Sequence, residues 1–149
     1  MKNIRFFHLL ILGCIVLLST HSCSSSSGPQ PINFGKDQCA HCRMSVSDPR
    51  FACQLVTTKG RAFHFDDVQC IIAHVKNGDI AAEDVANYYL PDYSNDNKLL
   101  PAEELYLLKS ESLKSPMRGD VAAFASEADL ETVREFHSGE TLSWKDLWK

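Results

Sequence analysis

The strongest constraint on the fold is an alternating apolar stretch that turns back on itself and then changes period. Residues 51–57 (FACQLVT) place Phe51, Cys53 and Leu55 on one face at the two-residue spacing of a strand. Thr58, Lys59 and Gly60 make a turn, with Gly60 able to take a positive φ. Residues 61–65 return as the second arm of a hairpin, with Phe63 and Phe65 on one face and His64 on the other. Asp66 or Asp67 then offers an N-cap oxygen, and Val68, Ile71, Ile72 and Val75 recur at i, i+3, i+4 and i+7. That stripe is the buried side of a helix ended by Asn77-Gly78. Cys70 and His74 form an i, i+4 pair beside it. Cys53 and Cys70 read most simply as small buried hydrophobes.

The remainder repeats this order. Residues 85–90 form a strand stopped by Pro91-Asp92, residues 93–101 a polar loop, and residues 105–109 another strand before a turn-rich stretch. Residues 120–125 read as a strand of small side chains, so something packs closely on it. Ser126 and Asp129 resemble a capping box for a helix carrying Leu130, Val133, Phe136 and His137, with Gly139 as its terminator. A last short strand over 141–144 and a helical tail ending at Trp148 complete the chain. Strand–strand–helix–strand thus occurs twice, without a residue-by-residue repeat. The expected fold class is α+β, a single domain of two ββαβ-like halves with antiparallel hairpins and helices on one face.

Ahead of the domain, Lys2 and Arg5 precede an apolar run over 9–18 that is too short to span a bilayer comfortably. Residues 1–22 read as a lipoprotein signal peptide, with Cys23 as the acylated first residue of the mature chain. Thr20 and His21 stand where a lipobox usually has Leu and a small residue, so cleavage by an ordinary signal peptidase is the alternative. Residues 23–33 hold that cysteine and a Ser/Gly/Pro tether, which cannot bury apolar surface. Residues 34–149 form the folded domain. Removing Lys2 and Arg5 leaves 13 basic against 19 acidic residues, a formal charge of −6, which gives no support to nucleic-acid binding. Of six cysteines, Cys39, Cys42, Cys53 and Cys70 fall in the domain, where two disulfides are one option outside the cytoplasm.

Chemistry concentrates in Asp37-Gln38-Cys39-Ala40-His41-Cys42-Arg43-Met44. Cys39 and Cys42 at CxxC spacing can reach one metal, and soft sulfur donors favour Cu(I), while thiolates also favour zinc. Met44 tilts the choice toward copper, because structural zinc sites are built from Cys and His. With both thiols on a metal, His41 would tend to point away, and a zinc site would need His64, Cys70 or His74 to complete it. Met117 lies in a Pro/Gly loop with no periodicity to bury it, and is a second thioether candidate. Once the signal is removed, Met44 and Met117 are the only methionines left. His64 offers a nitrogen ligand, and Asp66 or Asp67 could orient it. The bland readings of those acids are caps. His74 and His137, late in their helices, rank behind His64 as ligands.

Three stretches taken in order resemble the NosL family. They are Asp37-x-Cys39-x-x-Cys42-x-Met44; then Phe51-Ala52, Leu55-Val56-Thr57, Gly60-Arg61, Phe65-Asp66-Asp67 and Cys70; and finally Ser115-Pro116-Met117 with residues 122–126 (AAFAS). The resemblance implies a lipoprotein that binds Cu(I) and serves as a copper chaperone for maturation of nitrous-oxide reductase. It also implies two related ββαβ halves, similar to part of organomercurial lyase. Cys39, Cys42 and Met44 match the family's sulfur motif and Met117 its Pro-Met site. Many members have Gly directly after that Met, where this chain has Arg118.

The expected function is therefore a Cu(I) carrier without enzymatic activity, lipid-anchored on the periplasmic or cell-surface side, with the outer membrane as its expected home. Its expected partners are a copper enzyme client (nitrous-oxide reductase) and an ABC-type maturation transporter. The alternatives are a thiol oxidoreductase or organomercurial-lyase-like enzyme using Cys39 and Cys42, and a structural zinc-binding surface lipoprotein.

Overall fold

The structure, a computed structural model, describes residues 28–149. The signal segment, the Cys23 acylation site and the tether up to residue 27 lie outside the described residues.

The first half begins with the expected hairpin, β1 (Cys53–Thr57) and β2 (Ala62–Phe65), in the register Cys53 opposite Phe65 and Leu55 opposite Phe63. Gly60 sits at φ 79° in the intervening turn, a conformation that costs glycine nothing. Helix α1 (Val68–Lys76) follows, and Asp67 is its N-cap, accepting the Gln69 N–H at 2.8 Å. β3 (Val85–Pro91) then returns to pair with β1 on the side opposite β2. The second half repeats this with β5 (Tyr106–Lys109), β6 (Val121–Phe124), α2 (Glu127–Arg134) and β7 (Glu140–Leu142). With a short edge strand β4 (Leu99–Pro101) after β3, the sheets run β2-β1-β3-β4 and β6-β5-β7, every pairing antiparallel. In each half the first hairpin strand is central, flanked by its hairpin partner and by the strand after the helix. The α+β domain of two ββαβ halves is what the structure shows.

Two local expectations change. The loop over 93–101 ends in a short strand, β4 (Leu99–Pro101), because Leu99 and Leu100 pair with Pro91 and Leu90 at the edge of the sheet. Helix α2 stops at Arg134 instead of running through His137, and the N–H groups of Phe136 and His137 both turn back to the Val133 carbonyl. Phe136 is 79% exposed. A helix with Leu130 alone fully buried has too little apolar face to hold another turn.

The two sheets meet where Asp92 bridges Ala123 in parallel and the Tyr93 N–H donates to the Ala123 carbonyl. This close approach explains the small residues of β6. A core of Phe65, Leu55, Ile71, Leu90, Leu107 and Trp144 runs between the halves. Each such large side chain contributes about 1.5–3 kcal/mol by burial. Tyr88 packs against Trp144 and Trp148 at ring separations of 5.1 and 5.4 Å, which holds the C-terminal turn in place. Among the described residues no helix is long and apolar enough to cross a membrane.

Candidate metal centre

The CxxC segment is a tight turn laid across the edge of the first sheet. Gln38 bridges Ser45, the Cys39 N–H donates to the Met44 carbonyl at 2.8 Å, and the Arg43 N–H donates to the Cys39 carbonyl at 3.0 Å. Arg43 closes the turn in the left-handed region at φ 66°. The Ala40 N–H reaches the His64 carbonyl on β2 at 2.8 Å, which docks the turn against the sheet. Cys39 is thereby driven inward to zero exposure, while Cys42 stays half-buried.

Cys70 meets them from the first turn of α1. The three Sγ atoms of Cys39, Cys42 and Cys70 all lie within 4.8 Å of one another. With metal–sulfur bonds of about 2.3 Å, two sulfurs on one ion stand up to about 4.6 Å apart, so at most a slight closure of the cluster seats a single ion. Cys39, Cys42, Cys53 and Cys70 are all free thiols, so the two-disulfide option is not realised. Cys53, fully buried, stands outside the cluster.

The three sulfurs are electrostatically unequal. A hydrogen bond from Cys70 lowers the Cys39 thiol well below its ordinary pKa, and the backbone N–H groups of Cys42, Asp66 and His41 act in the same direction. The same sulfur–sulfur contact, with burial, pushes Cys70 up. Burial also raises Cys42. The physical content is one readily formed thiolate at Cys39, held by donors around it, with Cys70 keeping its proton.

The other expected site residues stand outside the three-sulfur group. Met44 follows directly and is 55% exposed. Met117 is half-buried and packs against the core that contains Cys39 and Cys70. Its loop is clamped by Asp67, whose Oδ2 accepts from Ser115 Oγ at 2.5 Å, the Met117 N–H at 3.1 Å and the Gly119 N–H at 3.3 Å. The Pro-Met loop is thus tied to the start of the helix that carries Cys70. Arg118 adopts φ 59°, the left-handed conformation that favours the glycine many family members have there.

His64 belongs to neither of the two groups of converging donor atoms. The carboxylate beside it is Asp37, at 2.9 Å from Nδ1, and its Nε2 is buried without a hydrogen-bond partner. The backbone N–H of Asn33, foremost, lowers the Asp37 carboxyl. Asp66 instead accepts the Ser47 N–H at 3.2 Å, with its own carboxyl raised by burial. His137 bonds Ser112 Oγ at 2.8 Å, in the second half.

Pattern reading offers Cys70 only as one of three residues that could complete a zinc site, and leaves it out of the copper set that Cys39 and Cys42 begin. The residue stood at the edge of the helical stripe and looked like core, which it also is at 2% exposure. The available signal was its place three residues after the N-cap Asp67, where a first-turn side chain faces whatever packs over the helix start.

No curated protein matches the chain. Among solved structures, the crystal structure of the copper chaperone NosL from Shewanella denitrificans is similar at a TM-score of 0.67 and 18% identity, covering 80% of this chain and 94% of that one. This likeness establishes the shared fold. The NosL family model matches residues 31–149, almost the whole described chain. With the two ββαβ halves and the convergent sulfurs in view, this chain belongs to the NosL family.

Proposed function

We propose that this domain is a membrane-tethered carrier of Cu(I) that hands its ion to an extracytoplasmic copper enzyme, nitrous-oxide reductase being the client the family resemblance suggests. The observation that carries the reading is the convergence of Cys39, Cys42 and Cys70 within 4.8 Å. Three soft donors suit a monovalent copper ion. Among the described residues no fourth Cys, His, Asp or Glu completes the group, as a closed structural zinc site would require. The copper chaperone from Shewanella denitrificans shares the fold.

Cys39 supplies the thiolate, Cys42 and Cys70 complete the holding set, and Met117, whose loop Asp67 ties to the start of α1, would add a thioether. Exposed Met44 is placed to meet a partner's ligand first. A low-coordinate site leaves one side open, so an incoming Met or His can bind before the donors release. His64, oriented by Asp37, is the nitrogen that would join during exchange. The lipid on Cys23 and the tether behind it would hold the domain on the periplasmic or cell-surface side, within reach of its client and of an ABC-type maturation transporter. The carrier performs no chemistry on a substrate. Burial of Cys39 at zero exposure also speaks against a dithiol oxidoreductase, whose nucleophile must meet a substrate disulfide.

Anaerobic titration of the reduced protein with Cu(I) against a chromophoric competitor tests this. One tightly held equivalent is expected, with affinity lowered at least a hundredfold in Cys70→Ser and left unchanged in Cys53→Ala. Loss of affinity in neither the Cys70→Ser nor a Cys39→Ser variant would overturn the proposal, as would stoichiometric zinc that unfolds the domain when removed.

A further inference from the structure

His41 lies between the two cysteines of the CxxC in sequence, yet its imidazole turns toward α1. There it meets His74 edge-on at a ring separation of 6.2 Å, and its Nδ1 stands 3.7 Å from Asp79 Oδ2. Asp79 lies just past the helix, with its N–H on the His74 carbonyl at 3.1 Å. One donor atom from each of His41, His74 and Asp79 falls within 4.8 Å of the other two.

The observation that makes this more than a polar cluster is His74. Its side chain is 9% exposed, and neither ring nitrogen has a hydrogen-bond partner. Nδ1 approaches Asp79 Oδ2 at 3.2 Å but without hydrogen-bond alignment. Buried polar groups are satisfied in the large majority of cases, so an imidazole orphaned at both nitrogens calls for a missing partner. A metal ion is a partner that accepts a lone pair without needing a proton. The three donors open on a cleft also lined by Asp37, Arg43 and His64, so an ion has a path in from solvent.

We propose that His41, His74 and Asp79 form a second metal site, one that takes a borderline divalent cation of the zinc class through two imidazoles and a carboxylate. Imidazole and carboxylate select such ions, whereas the neighbouring thiols select monovalent copper. Metal–nitrogen and metal–oxygen bonds of about 2.0–2.2 Å require donors no more than about 4.4 Å apart, a small closure that half-exposed Asp79 can supply. Three protein ligands leave the fourth position to water, the form of an exchangeable site rather than a structural one. The site also shares two elements with the sulfur cluster, because His41 is flanked by Cys39 and Cys42 and His74 lies one helical turn after Cys70. The assignment does not depend on copper at the sulfurs.

Co(II) is the probe, since its spectrum separates thiolate from imidazole ligation. The mature reduced protein is titrated with Co(II), once free of copper and once after one equivalent of Cu(I). In both arms one Co(II) is expected to bind without thiolate charge-transfer absorption and to shift the His41 and His74 imidazole resonances. His41→Asn and Asp79→Asn, at partly exposed positions that leave the core intact, should each weaken that equivalent at least tenfold. The proposal is overturned if every bound Co(II) shows thiolate charge transfer, or if neither variant changes its affinity. Failure of Cu(I) to load, with the imidazole-bound Co(II) still present, would sink the copper reading and leave this site standing.

Discussion

Asp67 accepts the backbone N–H of Met117 at 3.1 Å across fifty positions of chain. The same carboxylate caps α1 through Gln69 and holds Ser115 and Gly119, so one side chain couples the helix start beside Cys70 to the Pro-Met loop. Hydrogen bonds to a buried charge are worth about 1.5–3 kcal/mol each at most, and they are not additive. Asp67→Asn keeps one acceptor oxygen but cannot serve donors on both sides. The expected result is a loss of about 2–3 kcal/mol in urea unfolding, with the Met117 amide resonance displaced and Cu(I) affinity reduced. An unchanged unfolding midpoint with an undisturbed Met117 amide would remove Asp67 from this role.

The two residues after Met117 should respond oppositely to small changes. Arg118 is exposed and sits at φ 59°, where an L-residue pays roughly 1–2 kcal/mol. Arg118→Gly relieves that strain and loses part of the gain to the entropy of the unfolded chain, leaving a net stabilisation of about 0.5–1 kcal/mol. At Gly119 a Cβ would stand 2.2 Å from Asp67 Oδ1. Gly119→Ala should therefore cost about 1–3 kcal/mol by overpacking and weaken the same clamp. Chemical denaturation of the two variants side by side reads both signs.

Stability of the reduced, metal-free protein should pass through a maximum with pH. Cys39 is lowered by its hydrogen bond from Cys70, so its contribution is present above the ordinary thiol pKa of about 8.5 and fades as pH falls toward the lowered value. Cys70 is raised by the same contact, so its contribution is present below about 8.5 and fades as pH rises above it. Below that pH the unfolded chain binds one proton more than the folded pair; above it, one fewer. The urea midpoint should climb from acid toward about pH 8.5 and decline beyond it. Cys70→Ala should flatten the rise, and thiolate ultraviolet absorbance should appear at lower pH in the wild type than in this variant.

The hairpin and the helix after it were legible because their signals are local. Phe51 to Phe65 alternates, Val68 to Val75 follows the helical period, and Asp67 is an effective cap. β4 was hidden because two leucines in a polar stretch form a strand only when an edge is offered to them. Periodicity alone overextends the second helix, because Phe136 fits the period. Fit to a period says nothing about whether a surface waits to cover the residue, and here none does.

At the candidate site, Cys39, Cys42, Met44 and Met117 stood out by donor chemistry alone. Cys70 did not, since a buried thiol and a ligand look alike in a helical stripe. Asp37 and Asp79, the carboxylates that face the histidines, lie 27 and 5 positions from His64 and His74 and carry no motif.

The amino-acid sequence by itself determined the element order, the twofold ββαβ arrangement and the sulfur-rich composition of the site, because periodicity and donor softness belong to residues and their near neighbours. Which sulfurs converge, which thiol is activated and which imidazole is left without a partner were decided only in three dimensions. Those properties depend on distances of a few ångströms between segments remote along the chain, and the docking of the CxxC turn over the start of the helix sets them.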